Sequence, residues 1–148
     1  MNPEHIYEAG LGKSCANYTS LSPLSFLKRS ASIYPNHKAI IYGDKSFSWS
    51  DTYRRCCQFA SALKKRGLVK GDTVSAMLPN VPAMYEASFA VAMAGGVLNT
   101  LNIRLNADSI AFMLEHAEAK VVLTDREFSG VIGPALKKLK NKPLVIDV

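Results

Sequence analysis

The sequence predicts an α/β fold, a mostly parallel sheet with helices on both faces. Three observations carry this. Strand-like and helix-like runs alternate from Ser50 to the end of the chain, and a strand joined to the next through a crossover helix closes as a parallel pair. The stretch GDTVSAMLPNVPAMYEASFAVAMAGGVLNTLNIRLN, residues 71–106, reads as strand, apolar helix, short strand and loop. Residues 120–124, KVVLT, are a short β-branched run of the kind that parallel sheets bury on both faces.

Taken in order, residues 1–20 show no hydrophobic period and are expected to form an arm ahead of one α/β unit over residues 21–148. Ser22 and Pro23 open a helix, the hydroxyl as cap and the ring where a missing N–H costs nothing. Leu24, Leu27 and Ala31 share its apolar face, and it ends near Tyr34-Pro35. Residues 38–42 and 45–48 flank Gly43-Asp44, a two-residue turn signal that predicts a hairpin. Ser50 is the expected cap of the next helix, with Asp51 in its first turn. Tyr53, Cys56, Cys57, Ala60, Leu63 and Lys64 recur along it at helical spacing, and Gly67 stops it.

Residues 73–78 make an internal strand between the turn residues Gly71-Asp72 and Pro79-Asn80. Asn80 is expected to cap a helix that has Pro82 in its first turn. Over residues 83–94 the only charge is Glu86, so this helix needs cover on more than one side. Gly95-Gly96 closes it, and Val97-Leu98 starts a further strand. Asn106 or Asp108 caps a helix in which Ile110, Met113 and Leu114 share a face. A basic amphipathic helix is expected at 127–139, with Gly130 and Gly133-Pro134 placed to break its first half. Residues 144–148 give a final strand.

At 148 residues the chain is long enough for one domain with a real core and too short for two of ordinary size. No apolar run reaches the roughly 18 residues of a membrane span. The start, with Glu4, His5 and Glu8, lacks the basic and apolar regions of a secretory signal, so a cytoplasmic or organelle-matrix location is expected and secretion is not. Three cysteines, two of them adjacent, make neither a disulfide framework nor a zinc site. The net charge of +6 collects at Lys64-Lys65-Arg66 and along residues 137–142, near helix C-termini, where cations complement the dipole. Without interleaved aromatics or a recognised motif, this pattern argues against nucleic-acid binding.

Candidate chemistry is sparse. Gly95-Gly96 lacks the spacing of a dinucleotide loop and closes a helix instead of opening one. His5, His37 and His116 are far apart, with no metal-ligand or nucleophile arrangement. Asp51, Asp72 and Asp108 are turn or cap residues. Asp125 follows a strand end, where a carboxylate can meet magnesium or ribose. The loop at 99–106 also follows a strand, on the side where open α/β sheets place ligands. Asn102 and Arg104 are its candidate contacts to a substrate or a neighbouring subdomain. The alternative is that its Asn side chains bond the backbone through an irregular turn.

The run from Gly71 to Asp125, with Lys38-Ala39-Ile40-Ile41-Tyr42 and Phe47-Ser48-Trp49-Ser50-Asp51 before it, resembles the N-terminal region of the AMP-binding acyl-activating enzymes, the AMP-forming acyl-CoA synthetases. The blocks occur in the family's order and span the chain from about Ser22. The resemblance implies the N-terminal subdomain of the adenylate-forming synthetase fold. It also implies a longer parent that joins a carboxylic acid to coenzyme A, using ATP and Mg²⁺. The Asn-x-Arg-Leu block at 102–105 resembles the subgroup acting on small to medium acids, which implies a fatty or small aromatic acid. The family's Ser/Thr/Gly-rich phosphate loop and its later acidic and lysine motifs do not occur in these 148 residues.

The chain is therefore expected to be truncated and inactive alone, with no catalytic, cofactor or metal residue of its own. Its expected partner is the remainder of the synthetase or a homologous chain, and a peroxisomal parent is compatible. Left bare, the helix at 83–94 and the final strand would drive self-association. The alternative from another class is a non-catalytic α/β module that binds a partner protein such as a full-length synthetase. A free-standing nucleotide-binding domain is weakened by the missing glycine fingerprint.

Overall fold

The structure, a computed structural model, describes Gly10 and residues 12–148, so half of the arm expected at 1–20 falls outside the described residues. Ser22 accepts a hydrogen bond from the Leu24 N–H and Pro23 takes the first position of α1 (Pro23–Ile33), whose Leu27 is buried. Strands β1 (Lys38–Tyr42) and β2 (Lys45–Ser48) pair antiparallel around Gly43, which holds φ of 55°. The chain then runs straight into α2 (Trp49–Lys65). Its cap is Ser48, not Ser50. The Ser48 hydroxyl accepts the Asp51 N–H at 3.1 Å, and the Asp51 carboxylate accepts the Ser48 N–H in return. This reciprocal pair needs a hydroxyl three residues before the acid, and Ser50 is too close to Asp51 to supply it.

Four parallel strands follow: β3 (Thr73–Met77), β4 (Val97–Thr100), β5 (Val121–Thr124) and β6 (Leu144–Asp147), side by side in the order β4-β3-β5-β6. They alternate with α3 (Pro82–Ala94), α4 (Ala107–His116) and α5 (Ser129–Lys138). Strand alternation divides the sheet's side chains between two cores. Val74, Ala76, Val121 and Leu123 join α2 and α3 on one face; Met77 and Val122 join α4 and α5 on the other. Full burial of each Val or Leu contributes about 1.5–3 kcal/mol over leaving it exposed. Ser75, also fully buried, accepts a hydrogen bond from Asn99 of the neighbouring strand at 3.1 Å, so this polar pair costs the sheet little.

Three further details differ from expectation. Val81, not Asn80, precedes α3 as its cap, and it offers no side-chain bond. The Val81 N–H turns back to the Pro79 carbonyl at 2.8 Å, which delays the helix past the reach of the Asn80 carboxamide. Gly130 and Gly133-Pro134 do not break α5. A 3₁₀ turn at Arg126–Phe128 leads into it, open space surrounds both glycines, and the buried Ile132 and Ala135 hold the helix to the sheet. The third concerns α3, which is covered without outside help. Ala87, Ala90, Val91 and Ala94 are buried between α2 and the sheet, leaving only Ser88 and Ala92 exposed.

Candidate functional site

The connections leave β3 in two directions. The chain passes outward through α3 on one face to β4, then returns over the other face through α4 to β5 and onward through α5. The strand order therefore reverses between β3 and β5, and an open α/β sheet binds ligands outside the carboxyl ends of its strands at such a point. Residues at this end of the sheet are Pro79 and Asn80 after β3, the 101–106 loop after β4, and Asp125 after β5.

Each has a definable state. The Asn102 carboxamide oxygen accepts the Arg104 N–H at 3.0 Å and the Asn102 carbonyl accepts the Leu105 N–H at 3.2 Å. Asn102 is thus bound into its own turn, which presents Arg104 to solvent. Among the described residues the Arg104 guanidinium has no ion-pair or hydrogen-bond partner. Its planar fork is suited to a carboxylate or phosphate. The Asp125 carboxylate accepts the Glu127 N–H at 3.0 Å as cap of the 3₁₀ turn, and Asp147 at the end of β6 pairs with Arg126 at 2.9 Å. Asn80 is exposed and borders a recess of about 440 Å³ between β1 and the start of α3, lined also by Ile40, Tyr42, Pro82 and Tyr85. Burial raises the Tyr85 phenol above its ordinary range.

The remaining candidates are spent elsewhere. His37 stacks on Tyr34 and His116 on Phe112; His5 lies outside the described residues. Asp51 caps α2, with its carboxyl held low by the Ser48 hydroxyl first and the Ser48 N–H second. Asp72 accepts the Val69 N–H at 2.9 Å, and Asp108 pairs with Lys138. Among the described residues no three His, Cys, Asp or Glu side chains gather where they could hold a metal ion, and no helix is long and apolar enough to cross a membrane.

One constellation escaped the sequence reading. Glu86 is buried in α3 and takes the guanidinium of Arg55 from α2 through both carboxylate oxygens, one of them at 3.1 Å. Arg55 also lies 4.8 Å from the centroid of the Phe47 ring, so one side chain joins hairpin, α2 and α3. The signal was present, since a lone acid buried in an apolar helix needs a cationic partner. The partner's place, 31 residues back, was not.

Comparison with known proteins extends this picture. The profile of the family described as AMP-binding enzyme matches residues 27–148. An acetate–CoA ligase of Humulus lupulus is 51% identical over 132 residues, which are 89% of this chain and 23% of the ligase. A peroxisomal acetate/butyrate–CoA ligase of Arabidopsis thaliana is 46% identical over 132 residues, with the same coverage. The chain thus spans about a quarter of the curated relatives it matches. A Rhodopseudomonas palustris structure assigned as a long-chain-fatty-acid CoA ligase superposes with a TM-score of 0.80 at 27% identity, over 86% of this chain and 33% of that one. The o-succinylbenzoate–CoA synthetase of Bacillus subtilis, solved with ATP and magnesium, superposes at 0.71 and 25% identity, over 82% and 32%.

Proposed function

The chain belongs to the AMP-binding enzyme family, and on that premise we propose that it is the N-terminal α/β scaffold of an AMP-forming acyl-CoA synthetase. The proposed reaction joins a carboxylic acid to ATP as an acyl-adenylate, with release of pyrophosphate. It then moves the acyl group to the thiol of coenzyme A, with release of AMP. The observation that carries this reading is 51% identity with an acetate–CoA ligase across 89% of the chain.

Within that enzyme the part played by this chain is positional. Residues 21–148 supply a rigid parallel sheet, preceded by residues 1–20 as an arm, and its carboxyl end presents Arg104 on the turn that Asn102 holds. We assign Arg104 to contact with a neighbouring segment or with the acid, and Asn102 to support of that turn. The residues present do not fit an ATP–magnesium site: the carboxylates at the sheet end are occupied by a cap and an ion pair, and Gly95 closes a helix. ATP, Mg²⁺ and coenzyme A are accordingly assigned to segments outside this chain's span, and no chemical step is routed through its residues.

The acetate and butyrate named for two relatives support a fatty acid as substrate, with a small aromatic acid as the other class proposed. The peroxisomal relative supports a peroxisomal matrix location for the parent. The test is pyrophosphate release with a panel of acids, ATP and Mg²⁺. The 148-residue chain is expected to give none, and a protein of the relatives' length carrying this sequence is expected to turn over at least one acid. Turnover by the 148-residue chain, or silence of the longer protein with every acid, would overturn the assignment.

A further inference from the structure

Between α1 and α2 lies an open groove of about 740 Å³, to which α3 contributes Met93. That volume is within the range of roughly 300–1,000 Å³ typical of small-molecule pockets. Leu24, Ala60 and Met93 give it an apolar surface, and Lys28, Lys64 and Lys65 also line it. No carboxylate does. Among the described residues none of these three lysines makes an ion pair, although Arg54, Arg55, Arg126 and Lys138 each have one. Lys64 and Lys65 complete the last turn of α2, where the helix dipole favours a cation. Lys28 sits in the middle of α1, across the groove from that turn.

An apolar trough with unpaired cations at its rim and no anion is complementary to a molecule of the reverse pattern. We propose that this groove binds a single-chain anionic amphiphile, an aliphatic chain ending in a carboxylate or similar anionic head. The chain lies against Leu24, Ala60 and Met93, and the head sits among the three ammonium groups. Long lysine stems favour this arrangement, since their methylenes cover apolar surface while the charge stays in water. The groove is built on the outer helical layer and not at the carboxyl end of the sheet, so it is a second site, independent of the assignment made for Arg104.

The test is photo-crosslinking of the protein at its full encoded length with a diazirine-bearing long-chain carboxylate, followed by peptide mapping. Crosslinks are expected on residues 24–28 and 53–65. The double variant Lys28→Glu/Lys64→Glu is expected to reduce labelling of those peptides about tenfold, the ratio given by losing two solvent-exposed ion pairs. Ser61→Trp, which fills the groove without altering its charge, is expected to reduce it as well, with circular dichroism unchanged for both variants. Labelling confined to other peptides, undiminished labelling of the double variant, or equal labelling by the uncharged alcohol analogue would each overturn the proposal. Pyrophosphate release measured on the same samples reports on the synthetase assignment separately.

Discussion

A hydrogen bond from the Asp51 N–H to the Ser48 hydroxyl fixes where α2 begins. Ser48→Ala removes it and is expected to cost about 1 kcal/mol in urea denaturation, whereas Ser50→Ala, which touches no capping bond, is expected to stay within about 0.5 kcal/mol. The adjacent cysteines divide as sharply. Cys56 is fully buried, and burial first, the Glu86 charge second, pushes its thiol from 9.0 up to about 12; Cys57 is exposed. Iodoacetamide at pH 8 is expected to alkylate Cys15 and Cys57 in the folded chain and Cys56 only after denaturation, as mapped by mass spectrometry. The sign for stability follows. Below pH 9 the Cys56 thiol is protonated folded or unfolded, and its effect on stability is constant. Between 9 and 12 only the unfolded chain ionises it, so stability falls as pH rises through that window. Which of two neighbouring thiols would be buried was not legible from spacing alone, because helical periodicity gave both to one broad face.

At the scale of elements, glycine has opposite meanings in α3 and α5. Gly95 caps α3 with φ of 88°, and Gly96 starts the approach to β4 so closely that an added Cβ would lie 3.1 Å from the Asp72 carbonyl, Leu68 and Val91. Gly96→Ala is expected to lose about 1–3 kcal/mol by overpacking. Gly130 lies within α5 with open space around it, so Gly130→Ala is expected to gain about 0.5–1 kcal/mol by relieving glycine's chain entropy. Thermal melts of the two variants give the comparison. Both glycine groups read as helix stops in the sequence. Only the first is one, because a helix ends where backbone geometry demands it, and α5 keeps its anchor through Ile132 and Ala135 despite a poor interior.

At the scale of the molecule, the sheet has two free sides among the described residues. There β6 pairs with β5 alone, and its Leu144 and Val145 are each about 40% exposed. An apolar edge with unpaired backbone groups templates further strands, so the 148-residue chain is expected to self-associate with rising concentration in light scattering, and Val145→Lys to reduce this. A concentration-independent monomer would contradict the expectation. The apolar helix α3 does not belong in that account, since α2 already covers it.

The sequence by itself determined the alternation of strands and helices, the capped start of α1 and the hairpin turn, because each depends on residues within one or two turns of chain; the parallel sheet followed from that alternation through the rule for strand–helix–strand crossovers. It also placed Asn102 and Arg104 after a strand and carried the family resemblance. Only tertiary structure decided what lies across from what: that α2 shields α3, that Glu86 meets Arg55, that the strand order reverses between β3 and β5, and that Lys28 faces the end of α2 across an apolar groove. Those contacts join residues tens of positions apart. Their partners are chosen by how whole layers pack, which no local pattern of hydrophobicity or turn chemistry encodes.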